Sequence, residues 1–328
     1  MGLWWALVAG LAETAAIGIQ ILCYGYSYLG SLQMHRYALW AIGVSDILIV
    51  SAGVVVLGLL AWAIPGKQTI RFCFWLQATG AGLAFLFAFR SLAPISAAIL
   101  ACGLASVCSR KVNLSGPRYR QFLAWTYPVL LMTPIGFYTW QTGADAWREF
   151  LQIAALPASK SGQPNILLIV LDTVRADAMS CYGYGRVTTP HLDRLAARGS
   201  RFANARAPGT WTLPSHSSMF TGRWPHELSA RINRPLDGTF PTLAEAMMQQ
   251  GYATAGFVGN TFFCNTWHGL ARGFIHYADT PLRIQTILRS SGIGRKLLKS
   301  LGLNNREVER PKAVFGRKNA STINQEFL

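Results

Sequence analysis

The sequence predicts an α-helical transmembrane bundle followed by a doubly wound α/β sheet. Three observations predict it. The chain of 328 residues is 51% hydrophobic and only 13% charged, too apolar for one ordinary soluble domain. The apolarity is uneven: up to Phe150 there are nine Lys/Arg and four Asp/Glu, and the remaining residues hold twenty-one and ten. Beyond a polar linker, short apolar runs alternate with segments that open on Pro and close on Gly. The division expected is a membrane domain over 1–150, a linker over 151–163 and a second domain over 164–328.

Five apolar runs justify the first domain: Trp4–Leu29, Leu39–Ile64, Phe72–Phe89, Ala93–Val107 and Phe122–Tyr138. A crossing helix needs about 20 residues, so the first two are long enough and the others lie near the lower limit. The fourth can form a hairpin with the third. No basic segment precedes the first run, which disfavours a cleaved signal peptide. Lys67, Arg71, Arg110, Lys111, Arg118 and Arg120 fall in the second and fourth loops, whereas Arg36 and Arg90 fall in the first and third. With five spans, that bias puts the N-terminus in the cytoplasm and the second domain on the extracytoplasmic side of the cell membrane. Glu13 and Asp46 lie within expected spans, where an acid is either functional or paired with a neighbouring helix.

In the second domain, "NILLIVLD" is an apolar run from Asn165 to Leu171 that ends at Asp172, as expected of a strand buried on both faces. "TTPHLDRLAARG" follows, with Thr189 as cap, Pro190 at the first helical position and Gly199 beyond the end. The same punctuation returns in "TFPTLAEAMMQQG", before the apolar "YATAGFVGN". Sites in such sheets form at the carboxyl ends of strands, where Asp172 and Asn260 fall. Thr212, two residues before Pro214 in "PGTWTLPSHSSMFTG", stands at a helix mouth. It is either a helix cap or a hydroxyl placed where free N–H groups favour an anion.

The formal charge of +16 suits anionic lipid or an anionic substrate. No basic stripe interleaved with aromatics occurs, so no nucleic-acid partner is expected. The stretch from Leu282 to Leu303 is basic with near-helical apolar spacing; it either lies on anionic lipid or is a solvated helix with a buried stripe. The six cysteines are scattered, and only Cys181 and Cys264 can pair outside the membrane.

"PNILLIVLDTVRAD", "TTPHLDRLAARGSRFANARAPGTWTLPSHSSMFTGRWPHE" and "FPTLAEAMMQQGYATAGFVGN" occur in order over Pro164–Asn260. This order and spacing resemble the sulfatase family of the alkaline phosphatase superfamily. The resemblance implies a divalent metal (calcium, manganese or zinc) and a sulfate- or phosphate-ester substrate. In the family, a Cys or Ser of a C/S-x-P-S-R motif is converted to formylglycine. The matching "TLPSH" has Thr212 at the nucleophile position and His216 at the Arg position. Asp172 is followed by Thr173 where the family carries paired acids, and Asn260 stands for a Lys.

A threonine is not expected to become formylglycine. Thr212 with Asp172 instead resembles phosphoglycerol and phosphoethanolamine transferases of the same superfamily, in which a metal-bound Thr attacks a phosphodiester. Five spans before an external domain resemble the layout of lipoteichoic acid synthase, which implies a substrate that can be lipid-linked. The assignments expected are therefore Thr212 and His216 as catalytic, Asp172 and Thr212 as metal ligands, and Arg175 and Asn260 as substrate-binding. No "SDHG"-like stretch follows Asn260. The expected domain is thus the N-terminal part of a sulfatase-like catalytic domain, C-terminally incomplete, in a fragment of a longer protein. The alternative is a non-catalytic membrane sensor or scaffold with a degenerate domain that binds anionic lipid.

Overall fold

The computed structural model describes residues 2–24, 36–64, 66–89, 92–112, 116–159, 162–231, 234–280, 282–302, 318 and 320–327. The end of the first apolar run (25–29), Arg90, linker residues 160 and 161, and parts of the C-terminal stretch lie outside them.

The five apolar runs form the bodies of α1 (Gly2–Tyr24), α2 (Ala38–Ala63), α3 (Lys67–Leu86), α4 (Pro94–Lys111) and α5 (Pro117–Ala154). Among the described residues, one stretch, Trp40–Leu59 in α2, is by itself long and apolar enough to cross a bilayer. Small residues set the helix contacts. A Cβ on Gly10 of α1 would stand 2.7 Å from the Gly43 Cα of α2, so the two backbones touch. On α4, Ala97, Ala101 and Ala105 share one face, and all are buried against α3. That contact is the expected hairpin.

α5 has 38 residues, about 57 Å at 1.5 Å per residue, and it runs beyond its apolar part. Its far end meets the second half of the chain. Asp145 pairs with Arg36, whose Nη1 donates to the Tyr277 carbonyl at 2.9 Å, and Glu149 accepts from His276 Nδ1 at 3.0 Å. The boundary expected at residue 150 therefore falls inside a continuous helix that ends at Ala154.

The second half carries α6 (Pro190–Ala196), α7 (Thr212–Thr221) and α8 (Leu243–Gln249), each where the Pro and Gly signals place it. Thr242 and Glu245 close a reciprocal cap on α8, satisfying two otherwise orphaned N–H groups. β1 (Ala255–Phe257) pairs in parallel with β2 (His276–Ala278), Gly256 opposite Tyr277. A Cβ on Gly256 would stand 2.7 Å from the Tyr277 ring, so the strand centre requires glycine. α7 packs through Leu213 onto Leu228, Ala230, Leu236, Cys264 and Leu270, the core of this half.

Two expectations are corrected, a buried strand at Asn165–Leu171 and a Cys181–Cys264 pairing. Among the described residues the expected α/β sheet is represented by β1 and β2. Asn165–Leu171 pairs with neither, and its apolar side chains from Ile166 to Leu171 are 43–66% exposed. A strand of a parallel sheet needs at least one hydrogen-bonded neighbour and cover on its faces, and among the described residues this run has no paired neighbour. The basic stretch follows the second of its two readings, helices with a buried stripe: it forms α9 (Ile284–Ser290) and α10 (Gly292–Ser300), broken at Ser291, with Arg289, Ser290, Gly294 and Leu298 buried and Lys296 and Lys299 exposed. All six cysteines are free, so Cys181 and Cys264 are not bridged. A last helix, α11 (Ala320–Phe327), sets Phe327 edge-on against Phe257 of β1.

Candidate active site

α7 begins with Thr212 itself. Trp211 is its N-cap and offers no side-chain cap, Pro214 occupies the third position, and Gly222 stops the helix at φ 66°. Thr212 is therefore not the cap, which corrects one of its two readings. The first turn leaves backbone N–H groups beside the Thr212 hydroxyl, where the helix dipole favours an anion.

The Thr212 hydroxyl donates to Asp172 Oδ2 at 3.3 Å, and Asn260 Nδ2 donates to the same oxygen at 3.1 Å. Thr212, Asp172 and Asn260 thus converge from three distant segments onto one carboxylate. The Asn260 carbonyl oxygen accepts from the Phe263 N–H at 3.4 Å, which orients the amide with its NH2 toward Asp172. His216 Nδ1 donates to the Thr212 carbonyl at 2.8 Å, one turn back along α7. That bond fixes the tautomer and leaves Nε2 as the ring nitrogen free for a ligand.

Arg175 does not join this group. Its guanidinium forks onto Asp177 two residues on, and both side chains are exposed. The fork holds the Asp177 carboxyl below the usual range. His226 lies on the surface. His268 is buried, donates from Nδ1 to Asn265 Oδ1 at 2.8 Å, and is held below the usual histidine range by burial. Neither acts at the site.

Two features of the site carry no sequence signal. Thr173, next to Asp172, has φ 64°, a left-handed conformation that costs a β-branched residue roughly 1–3 kcal/mol. The strain sits in the turn that presents Asp172. Cys264, below Asn260, has its thiol pushed up to about 12, first by burial and then by the Asp172 charge. It is a neutral core residue rather than a nucleophile.

The donor set is oxygen-rich and suits a hard cation, but it supplies one carboxylate. Among the described residues no group of three or more His, Cys, Asp or Glu side chains could hold a metal ion. Asp172, Thr212 and Asn260 therefore do not by themselves complete a divalent-metal site.

Comparison with known proteins places the matched segment in the second half of the chain. Residues 164–290 match the sulfatase family model. The chain is 36% identical over 114 residues to N-acetylgalactosamine-6-O-sulfatase of Bacteroides thetaiotaomicron, covering 33% of this chain and 21% of that protein. It is 38% identical over 131 residues to arylsulfatase A of Bos taurus, covering 37% and 24%. With steryl-sulfatase of Mus musculus it shares 31% over 139 residues, covering 36% and 22%. The chain thus spans about a fifth to a quarter of the length of these relatives. No solved structure matches it. Residues 164–290 are thus sulfatase-family sequence of the alkaline phosphatase superfamily, corresponding to part of a catalytic domain.

Proposed function

We propose that the protein is a membrane-anchored sulfatase-like enzyme that cleaves or transfers a sulfate or phosphate ester at Thr212. The observation that carries this reading is the contact of the Thr212 hydroxyl with Asp172 at the uncapped start of α7. Attack by Thr212 Oγ forms a bond to sulfur or phosphorus and breaks the ester bond. The proton of Thr212 passes to Asp172, and the departing alkoxide oxygen takes a proton from solvent water. The covalent group then moves to water or to an acceptor alcohol.

Relative acidities show what Asp172 can and cannot do. An alcohol is a far weaker acid than a carboxylic acid, so the proton rests on the Thr212 hydroxyl before attack. Asp172 therefore cannot hold Thr212 deprotonated in the resting state; it accepts the proton as attack proceeds. The free N–H groups of α7 stabilise charge on the transferred group, and His216 Nε2 faces it from one turn further on. Asn260 holds Asp172 in place. A divalent metal of the kind the family uses would supply Lewis-acid activation, for which Asp172 is, among the described residues, the one carboxylate at the site.

The five helices supply the membrane anchor in this reading. The chain is a multi-pass protein with the sulfatase-like segment outside, and its ester substrate is open to being lipid-linked. A second reading, a non-catalytic membrane module, draws on the single carboxylate and the exposed half-site. Turnover of an aryl sulfate and an aryl phosphodiester by the full chain in detergent separates the two. Thr212→Ala is expected to lower turnover by about a thousandfold or more. Full turnover by that variant rejects the nucleophile, and no turnover by the parent chain supports the module.

A further inference from the structure

The elbow between α9 and α10 is seated on the helices by a polar cluster that ester chemistry does not use. Glu13 of α1 and Asp46 of α2 are both fully buried. Glu13 Oε1 accepts from the Gly292 N–H at 2.6 Å and lies 3.7 Å from Arg295 Nη2. Ser45, next to Asp46, contacts the Leu288 carbonyl at 3.1 Å and the Ser291 hydroxyl at 2.8 Å. The two acids share one locale. A Cβ on Gly10, three residues before Glu13, would stand 3.5 Å from Asp46 Oδ2, and the two carboxylates act on one another electrostatically.

The cluster is short of positive charge and of donors. Glu13 Oε2 and both oxygens of Asp46 are buried without a hydrogen bond, and Ser291 faces Asp46 without reaching hydrogen-bonding geometry. Among the described residues, Arg295 is the one basic side chain close enough to act on either carboxylate. Of the other basic groups on α9 and α10, Lys296 sits 4.3 Å over the Phe87 ring. Two carboxylates against one guanidinium leave one negative charge uncompensated in a buried site, which is costly.

We propose that Glu13 and Asp46 form a site for one monovalent cation, a proton or a sodium ion, whose occupancy seats the α9–α10 elbow on α1 and α2. Either ion supplies the missing charge: a proton turns one carboxyl oxygen into a donor for the other acid, and sodium accepts oxygen lone pairs from both. The cluster joins the sulfatase-like segment to the helices, so occupancy sets how firmly the two halves dock.

The test uses the full chain in lipid nanodiscs, with amide exchange at Gly292 corrected for its intrinsic rate. If the ion is sodium, replacing choline chloride with sodium chloride slows that exchange about tenfold at ten times the dissociation constant. Asp46→Asn and Glu13→Gln abolish the response, whereas Asp145→Asn, outside the cluster, keeps it. If the ion is a proton, sodium has no effect and exchange speeds as pH rises. Infrared spectra of the parent chain then show a protonated-carboxyl band that either substitution removes. Should one variant fail to fold, the other and the parent chain's sodium and infrared responses still decide. The absence of both a sodium response and a carboxyl band overturns the proposal.

Discussion

The segment from Pro208 to Asp279 and the segment from Pro164 to Ala207 belong to one family match but differ in how they are held. The later segment has a core: Leu213, Ala230 and Leu270 are at most 1% exposed, and β1, β2 and the α8 cap bind it together. The earlier one, with its apolar row from Ile166 to Leu171 in the open, contributes no fully buried residue. The candidate site straddles the two. Thr212 and Asn260 stand on the packed side, and Asp172 reaches them from the unpacked side across a strained turn. Position and packing are therefore separable here: Thr212 is anchored, and Asp172 is held by little more than two hydrogen bonds.

Substitutions can break or sharpen that contrast. The largest effect is expected from Leu213→Ala, which should cost about 2–5 kcal/mol by opening a cavity under α7. Leu167→Ala, the same deletion in the exposed row, should change stability by less than about 0.5 kcal/mol. Chemical denaturation measures both, and equal costs would show that the two segments are packed alike.

A smaller effect belongs to the turn. Thr173→Gly removes the left-handed strain and should stabilise the fold by up to about 1 kcal/mol, read as a raised Tm. It should lower turnover if the strain aims Asp172, and leave it unchanged if it does not.

The smallest effect is on pH dependence. The Cys264 thiol is pushed up to about 12 from an ordinary value of 9.0, so the folded state holds its proton where the unfolded state releases it. Its contribution is fully present below about pH 9 and is lost as pH rises toward 12. At pH 9 the folded chain should resist alkylation at Cys264 until denaturant is added. Rapid labelling of the native protein would show that the packed core is open.

Much of the molecule is legible in local signals. Pro190 and Gly199 delimit α6, Pro214 and Gly222 delimit α7, and the apolar runs become α1 to α5 because both depend on neighbours a few residues apart. What the sequence leaves dark is non-local. The run from Asn165 to Leu171 reads as a strand, yet a strand exists only through partners, and none among the described residues pairs with it. The basic stretch after Leu282 reads as a surface element because its partners Glu13, Ser45 and Asp46 lie more than 240 residues upstream. Within the site, the family order of segments singles out Asp172, Thr212, His216 and Asn260. The structure brings Asp172, Thr212 and Asn260 together, ties His216 to the Thr212 carbonyl and turns Arg175 aside to Asp177. Arg175 was open to a substrate role only because an acid two residues away is invisible as a partner until the turn is built.

The central claim is that Thr212 carries the transferred group. Intact-mass and peptide mapping of the full chain, quenched during turnover of an aryl sulfate or aryl phosphodiester, tests it most directly. The account predicts a sulfuryl or phosphoryl adduct on Thr212 that disappears in Thr212→Ala and falls sharply in Asp172→Asn. Turnover that persists in Thr212→Ala, or an adduct on another residue, would contradict it.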